Sequence, residues 1–170
     1  MDVPEILTPR LRLRAWTDAD VGQLAALYAD SEMVRYLRKL DLEGTRQQVV
    51  RFKDHWERRN FGPWAVEHRE TGRFIGRLGL MHHDDWTACA HDAEVGWVIA
   101  RDLWGEGLAS EGGAAALRFG FETMAMKRII SIAHRDNAAS LRVMHKLGMA
   151  REGEAVWMDA PVNWYVIERQ

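Results

Sequence analysis

The chain opens on an alternation: Leu11, Leu13 and Ala15 fall between Arg10, Arg12 and Arg14, the period-two signature of a strand with one buried and one solvated face. The period then lengthens. Val21, Leu24, Ala25, Leu27 and Tyr28 form one apolar helical face behind Thr17 and Asp20, which resemble a capping box, and predict a first helix to about Asp30. Thr45 and Gln48 precede Val49, Phe52 and Trp56 and predict a second helix over roughly 46 to 59. Two apolar runs, Trp64-Ala65-Val66 and Phe74 to Leu80, flank the polar turn Glu70-Thr71-Gly72 and read as a hairpin. Ala93 to Ile99 is a further strand with unlike faces: Val95, Trp97 and Ile99 point one way, Glu94, Gly96 and Val98 the other.

Beyond it, Ala114 to Met124 suits a packed helix and Arg128 to His134 a buried strand. Asn137 is a cap for a last helix through Leu147, with Gly148 as its left-handed stop. Val156 to Ile167 reads as one or two closing strands around Pro161. The order β, α, α, β, β, β, α, β, α, β predicts one α/β domain over residues 1–170 with a mixed sheet.

Composition narrows the classes. With 170 residues, 47% of them hydrophobic, the chain suits a single domain with a sizeable core. A formal charge of −2 offers no basic footprint for nucleic acid, so an anionic ligand must be held locally. Cys89 is the sole cysteine, which rules out an internal disulfide framework, argues against structural zinc and makes a reducing cytoplasm the default location. No apolar run is long enough for a bilayer span, and the N-terminal stretch reads neither as signal peptide nor as membrane anchor. The sequence leaves a homodimer open.

The stretch DLWGEGLASEGG, Asp102 to Gly113, follows a strand and leads into a helix, an arrangement whose bare amides and helix dipole favour a phosphate. A P-loop is excluded, because no lysine and Ser/Thr pair stands at the matching places. A dinucleotide fingerprint misses by one residue at Ser110, but only about 60 residues follow Gly107, too few for the parallel units that such a fold needs.

Three segments taken together, TPRLRLRAWTDAD, AEVGWVIARDLWGEGLASEG and RDNAASLRVMHKLGM, resemble the GNAT superfamily of acetyl-CoA-dependent N-acetyltransferases, in particular its branch related to the ribosomal-protein N-terminal acetyltransferases RimJ and RimL. The resemblance implies an α/β fold with a mixed, mostly antiparallel sheet, flanking helices and a splayed central pair of parallel strands. Acetyl-CoA is then the cofactor. Its pyrophosphate would lie on the loop Leu103, Trp104, Gly105, Glu106 and Gly107, continuing into Leu108, Ala109 and Ser110. Position 102 is aspartate where many members have Gln or Arg, but main-chain contacts do not depend on that side chain. The pantetheine arm would pair with the backbone of Trp97, Val98 and Ile99, with Asn137 and Ser140 beside it; Lys146, in a modest basic group with Arg142 and Arg151, would meet the 3′-phosphate.

Transfer of an acetyl group to a primary amine by direct attack in a ternary complex needs a base for the ammonium and a proton for the leaving thiolate, and needs no metal. By the resemblance Glu94 is the base. The tyrosine that many members carry on the last helix is Met144 here, so the acid is Ser140, Tyr165 or water. The acceptor is a protein N-terminus or a small amine, aminoglycoside-like compounds included. A non-catalytic acyl-CoA-binding or sensing module of the same fold is the rival reading, to which Met144 lends weight. His82, His83 and His91 beside Asp84, Asp85 and Asp92 superficially suggest metal ligands, but their spacing favours a solvated loop on the substrate side. Among eight tryptophans, Trp56, Trp64 and Trp97 are expected in the core or cofactor wall, Trp86 and Trp164 at a substrate pocket.

Overall fold

The computed structural model describes residues 2–169. Strands β1 (Ile6–Leu7), β2 (Leu11–Arg14), β3 (Pro63–His68), β4 (Phe74–Met81), β5 (Ala93–Ile99), β6 (Arg128–His134), β7 (Ala150–Trp157) and β8 (Ala160–Glu168) form one sheet in the order β1-β2-β3-β4-β5-β6-β8-β7. Every neighbouring pair is antiparallel except β5 with β6. This is the mixed, mostly antiparallel α/β fold expected. Four helices accompany it: α1 (Ala19–Tyr28), α2 (Leu42–Arg59), α3 (Leu108–Arg118) and α4 (Ala138–Lys146).

Boundaries moved where a competing local bond won. Helix α2 begins at Leu42 because the Asp41 carboxylate accepts from the Gly44 amide at 2.8 Å; Thr45, the expected cap, lies inside the helix with its hydroxyl donating to the Asp41 carbonyl. Helix α3 begins at Leu108 rather than 114, and continues into a π turn over Phe119–Thr123. The closing segment is a full hairpin whose first strand starts at Ala150, turned through Met158 and Asp159, both at positive φ.

Two apolar layers sandwich the sheet. On one face Leu78, Leu80, Val95 and Ile99 pack with Leu108, Ala115, Ala116 and Met144 from α3 and α4. On the other, Ala65, Phe74 and Val98 pack with Val21, Leu24, Tyr28, Val49 and Phe52 from α1 and α2. The alternation expected for β5 therefore holds: Val95 and Ile99 go to the α3 side, Val98 to the α1 side. Arg14 reaches Asp20 with both terminal nitrogens, at 2.7 and 2.8 Å, and Glu67 with Nε, binding β2 to α1 and β3.

Candidate functional site

Strands β5 and β6 pair only at their first residues, Ala93 with Ile129 and Glu94 with Ile130. Past that point side chains replace the ladder: the Ser131 hydroxyl donates to the Val95 carbonyl at 2.9 Å, and the Ile132 amide donates to Glu94 Oε1 at 3.3 Å. From Gly96 to Ile99 the edge of β5 that faces β6 pairs with no strand, and its Ile99 carbonyl accepts from the Trp104 indole. A wedge thus opens toward the carboxyl ends of two parallel strands, with main-chain donors and acceptors along one wall, as a ligand adding itself like a strand would need.

At the wide end of the wedge the chain turns into the glycine loop. Gly105 and Gly107 have φ of 85° and 84°, and a Cβ at Gly105 would meet nothing within 4 Å. Gly107 is the N-cap of α3 and no side chain caps that helix, so the amides of Leu108, Ala109 and Ser110 have no acceptor within it. The Trp104 indole donates to the Ile99 carbonyl at 2.7 Å while the side chain stays half exposed.

A brace fixes this loop from behind. Glu111 accepts from the Thr8 hydroxyl at 2.6 Å, the Arg10 amide at 2.8 Å and Arg10 Nε at 2.7 Å, and Arg10 Nη1 donates to the Glu106 carbonyl at 2.9 Å. Burial opposes the charged carboxyl, but the Thr8 and Arg10 donors outweigh it and hold Glu111 below its ordinary pKa. The one acidic side chain in the first turn of α3 is therefore neutralised by Arg10, and open amides are left at the helix start. Open space, free donors and a nearby wedge fit a pyrophosphate with an extended arm.

Glu94 stands at the narrow end of the wedge, where the β5–β6 pairing stops, on the face opposite α3, with its side chain 15% exposed. Its Oε2 accepts from His83 Nε2 at 2.6 Å. Burial lowers the His83 pKa, but the hydrogen bond to Glu94 and that group's charge override it, and the imidazole ends above its ordinary value. The His83 ring packs edge-on against Trp157 at 4.8 Å. His82 stacks on His91 at 4.7 Å and its amide donates to His55 Nε2. The three histidines of this loop pack into a wall of the site while Asp84, Asp85 and Asp92 stay exposed, so the loop is solvated on its acidic side only, and among the described residues no three His, Cys, Asp or Glu are placed to hold a metal ion.

Residues 10–150 match the sequence profile of the acetyltransferase (GNAT) domain. The chain belongs to the GNAT family. It is 30% identical over 154 residues to the "uncharacterized N-acetyltransferase YoaA" of Bacillus subtilis (strain 168), a match covering 88% of this chain and 85% of that protein. In fold it superposes on an acetyltransferase from Agrobacterium tumefaciens with a TM-score of 0.86 at 23% identity, covering 99% of this chain and 96% of that one. RimL, described as a ribosomal L7/L12 alpha-N-protein acetyltransferase in complex with coenzyme A, gives 0.78 at 19% identity, over 98% and 97% of the two chains. The protein is thus an acetyl-CoA-dependent acyltransferase by family.

Within this GNAT domain the remaining candidates fall on the α4 side of the sheet. Asn137 caps α4, its Oδ1 accepting from the Ser140 amide at 3.1 Å, which brings the two together. Met144 is buried, and Tyr165 lies beneath α4 with its ring edge-on to His145 at 5.3 Å. Tyr165 and Glu94 therefore occupy opposite faces. Lys146 is exposed in the last turn of α4. Trp56 and Trp64 are core residues as expected. Trp86 and Trp164, expected at a substrate pocket, are buried edge-to-face against each other at 5.9 Å; Trp157 is the less buried member of that cluster.

Arg77 is not singled out by the sequence, and His83 only as one of three histidines in a polar loop, not as a partner of Glu94. The signal for His83 was strand parity: Met81 pairs with Glu94, and a residue two further on falls to the same face. Among the described residues no helix is long and apolar enough to cross a membrane.

Proposed function

We propose that this GNAT domain moves the acetyl group of acetyl-CoA directly to a primary amine, a protein N-terminus or a small amine, within a ternary complex. The observation that carries this reading is the placing of Glu94: it stands where the β5–β6 wedge begins to open, on the strand that runs into the glycine loop, and on the face away from α3 and α4. The cofactor supplies an activated acyl carbon. The open amides of Leu108 to Ser110 and the positive-φ glycines hold its pyrophosphate, and the edge of Trp97 to Ile99 that pairs with no strand holds its arm.

Glu94 takes the proton from the entering ammonium. His83 orients that carboxylate and, where its ring is neutral, shares the proton; Trp157 fixes the ring from the side. Ser140 and Tyr165, on the α4 side, are the candidate proton donors, with water as the alternative. The name of RimL, an alpha-N-protein acetyltransferase of similar fold, supports a protein N-terminus as one acceptor.

The test is thiol release from acetyl-CoA by the purified protein with a panel of small amines and peptides. Release with at least one amine is expected. Micromolar acetyl-CoA binding with no release from any amine would favour the non-catalytic binding module, to which buried Met144 at the expected tyrosine position points.

A further inference from the structure

Four arginines are half-buried: Arg10, Arg14, Arg77 and Arg128. Arg10 is paired with Glu111, Arg14 with Asp20 and Glu67, and Arg128 with Glu152 and Glu168. Arg77 has no carboxylate partner among the described residues. Its Nε donates to the Tyr28 hydroxyl at 2.8 Å, and that hydroxyl donates onward to Gln48 Oε1 at 2.7 Å. The guanidinium lies over the Phe52 ring at 5.6 Å. The stem and one edge of the fork are therefore held, and the two terminal nitrogens remain for a ligand. A guanidinium fixed through Nε presents a flat, paired donor edge suited to a carboxylate.

Strand register places this group relative to the reactive end. Arg77 lies opposite Val98, Gly79 opposite Gly96 and Met81 opposite Glu94, all on the α1 face. Between the guanidinium and the Glu94–His83 pair the floor is Gly79 and Gly96; a Cβ at Gly96 would meet nothing within 4 Å, whereas one at Gly79 would meet the Gly62 carbonyl at 2.6 Å, so the open space lies over Gly96. Four steps along the strand separate the two ends, about 14 Å between Cα atoms at ~3.4 Å per residue, and both charged groups stand on stems that shorten the span. The positive charge of Arg77 reaches His83, where it works against protonation of the ring. A trough with an anion acceptor for an ammonium at one end and an unpaired fork at the other is matched to a short zwitterion.

Resting on the acetyl-transfer reading, we infer that the acceptor is a small amine carrying a carboxylate a few bonds away, an amino-acid-like molecule, with Arg77 holding the carboxylate and Glu94 facing the amine. Bare polyamines and amines with no anionic group are then poor ligands. Arg77 is a specificity-determining residue, and its loss separates acidic from neutral acceptors.

The experiment uses matched pairs: the common amino acids, β-alanine and 4-aminobutyrate, each beside its carboxamide. Binding is measured by calorimetry with coenzyme A present, and thiol release is measured with acetyl-CoA, for the wild-type protein, Arg77→Lys and Arg77→Met. We expect at least one acid to be preferred over its amide by on the order of tenfold or more, the worth of a charge-assisted pair in a partly desolvated site. In Arg77→Met the preference vanishes, through weaker acid binding and an unchanged amide, while Arg77→Lys keeps part of it; the melting temperatures of the variants show whether they fold. Equal binding of acid and amide by the wild type, no binding of any pair, or an equal loss for both in Arg77→Met overturns the inference. Acid-selective binding without thiol release leaves it standing and overturns the transferase reading instead, whereas release with neutral amines alone does the reverse.

Discussion

Two glycine pairs stand within one short stretch of this chain and serve opposite ends. Gly105 and Gly107 take positive φ and face open space or the tip of Arg10. Gly112 and Gly113 are ordinary helical residues in the middle of α3, and each marks a close approach: a Cβ at Gly112 would meet Leu78 Cδ1 at 2.7 Å, and one at Gly113 would meet Leu147 Cδ1 at 2.9 Å. The first pair leaves backbone bare toward open space; the second lets α3 settle onto the sheet and α4. Composition alone cannot separate these uses, because the deciding facts are a dihedral angle and a distant leucine.

The comparison can be broken at either pair. Gly112→Val should have the largest effect on folding, since Leu78 is fully buried and Leu11 also lies close, so neither can yield; overpacking of this kind costs about 3 kcal/mol, and calorimetry should show melting lowered by on the order of 10 °C. Gly107→Ala should lower melting less, by the strain of its left-handed φ and not by a clash, because its Cβ meets only Arg10 Nη2 at 3.7 Å. It should also weaken acetyl-CoA binding by about tenfold, as the loop shifts to relieve the about 1–2 kcal/mol that a left-handed residue with a Cβ costs. Equal losses of stability in the two variants would erase the distinction. Glu111→Gln, which removes the charge behind the loop but keeps its shape, should weaken acetyl-CoA binding by a few fold, the worth of a partly exposed charge-assisted bond of about 1 kcal/mol.

The smallest effect is one of pH. Folding raises the His83 pKa through Glu94, so the pair stabilises the fold fully below the ordinary imidazole value of about 6.5, and that contribution fades as pH rises through the raised folded value. Urea midpoints should show this fall on going from pH 6 to pH 9, and His83→Gln should lack that part of the slope.

Much of the scaffold was legible because its signals are local. The two-faced pattern of β5 assigned Glu94 and Val95 to opposite sides, and Asn137 announced α4. The cofactor became legible only when the glycines were taken with the flanking segments as a family pattern. Other features depended on competition or distance. The start of α2 was misjudged because Asp41 and Thr45 both offer a cap and the backbone took the former. His83 and Arg77 draw their meaning from Glu94 and Tyr28, which lie 11 and 49 residues away in sequence, and Trp86 and Trp164 are buried by each other rather than offered to a ligand. A side chain whose role is set by a distant partner leaves no periodic trace.

In the mechanism proposed above, the edge of β5 and the glycine loop hold the cofactor while Glu94, on the sheet face away from α3, serves the amine. Glu94→Gln tests it most directly, with acetyl-CoA affinity measured by calorimetry and kcat by thiol release on the same preparation. The claim predicts an unchanged Kd and a kcat lowered by on the order of 100-fold or more, the usual worth of a positioned base. An unchanged kcat, or a loss confined to cofactor affinity, would contradict it.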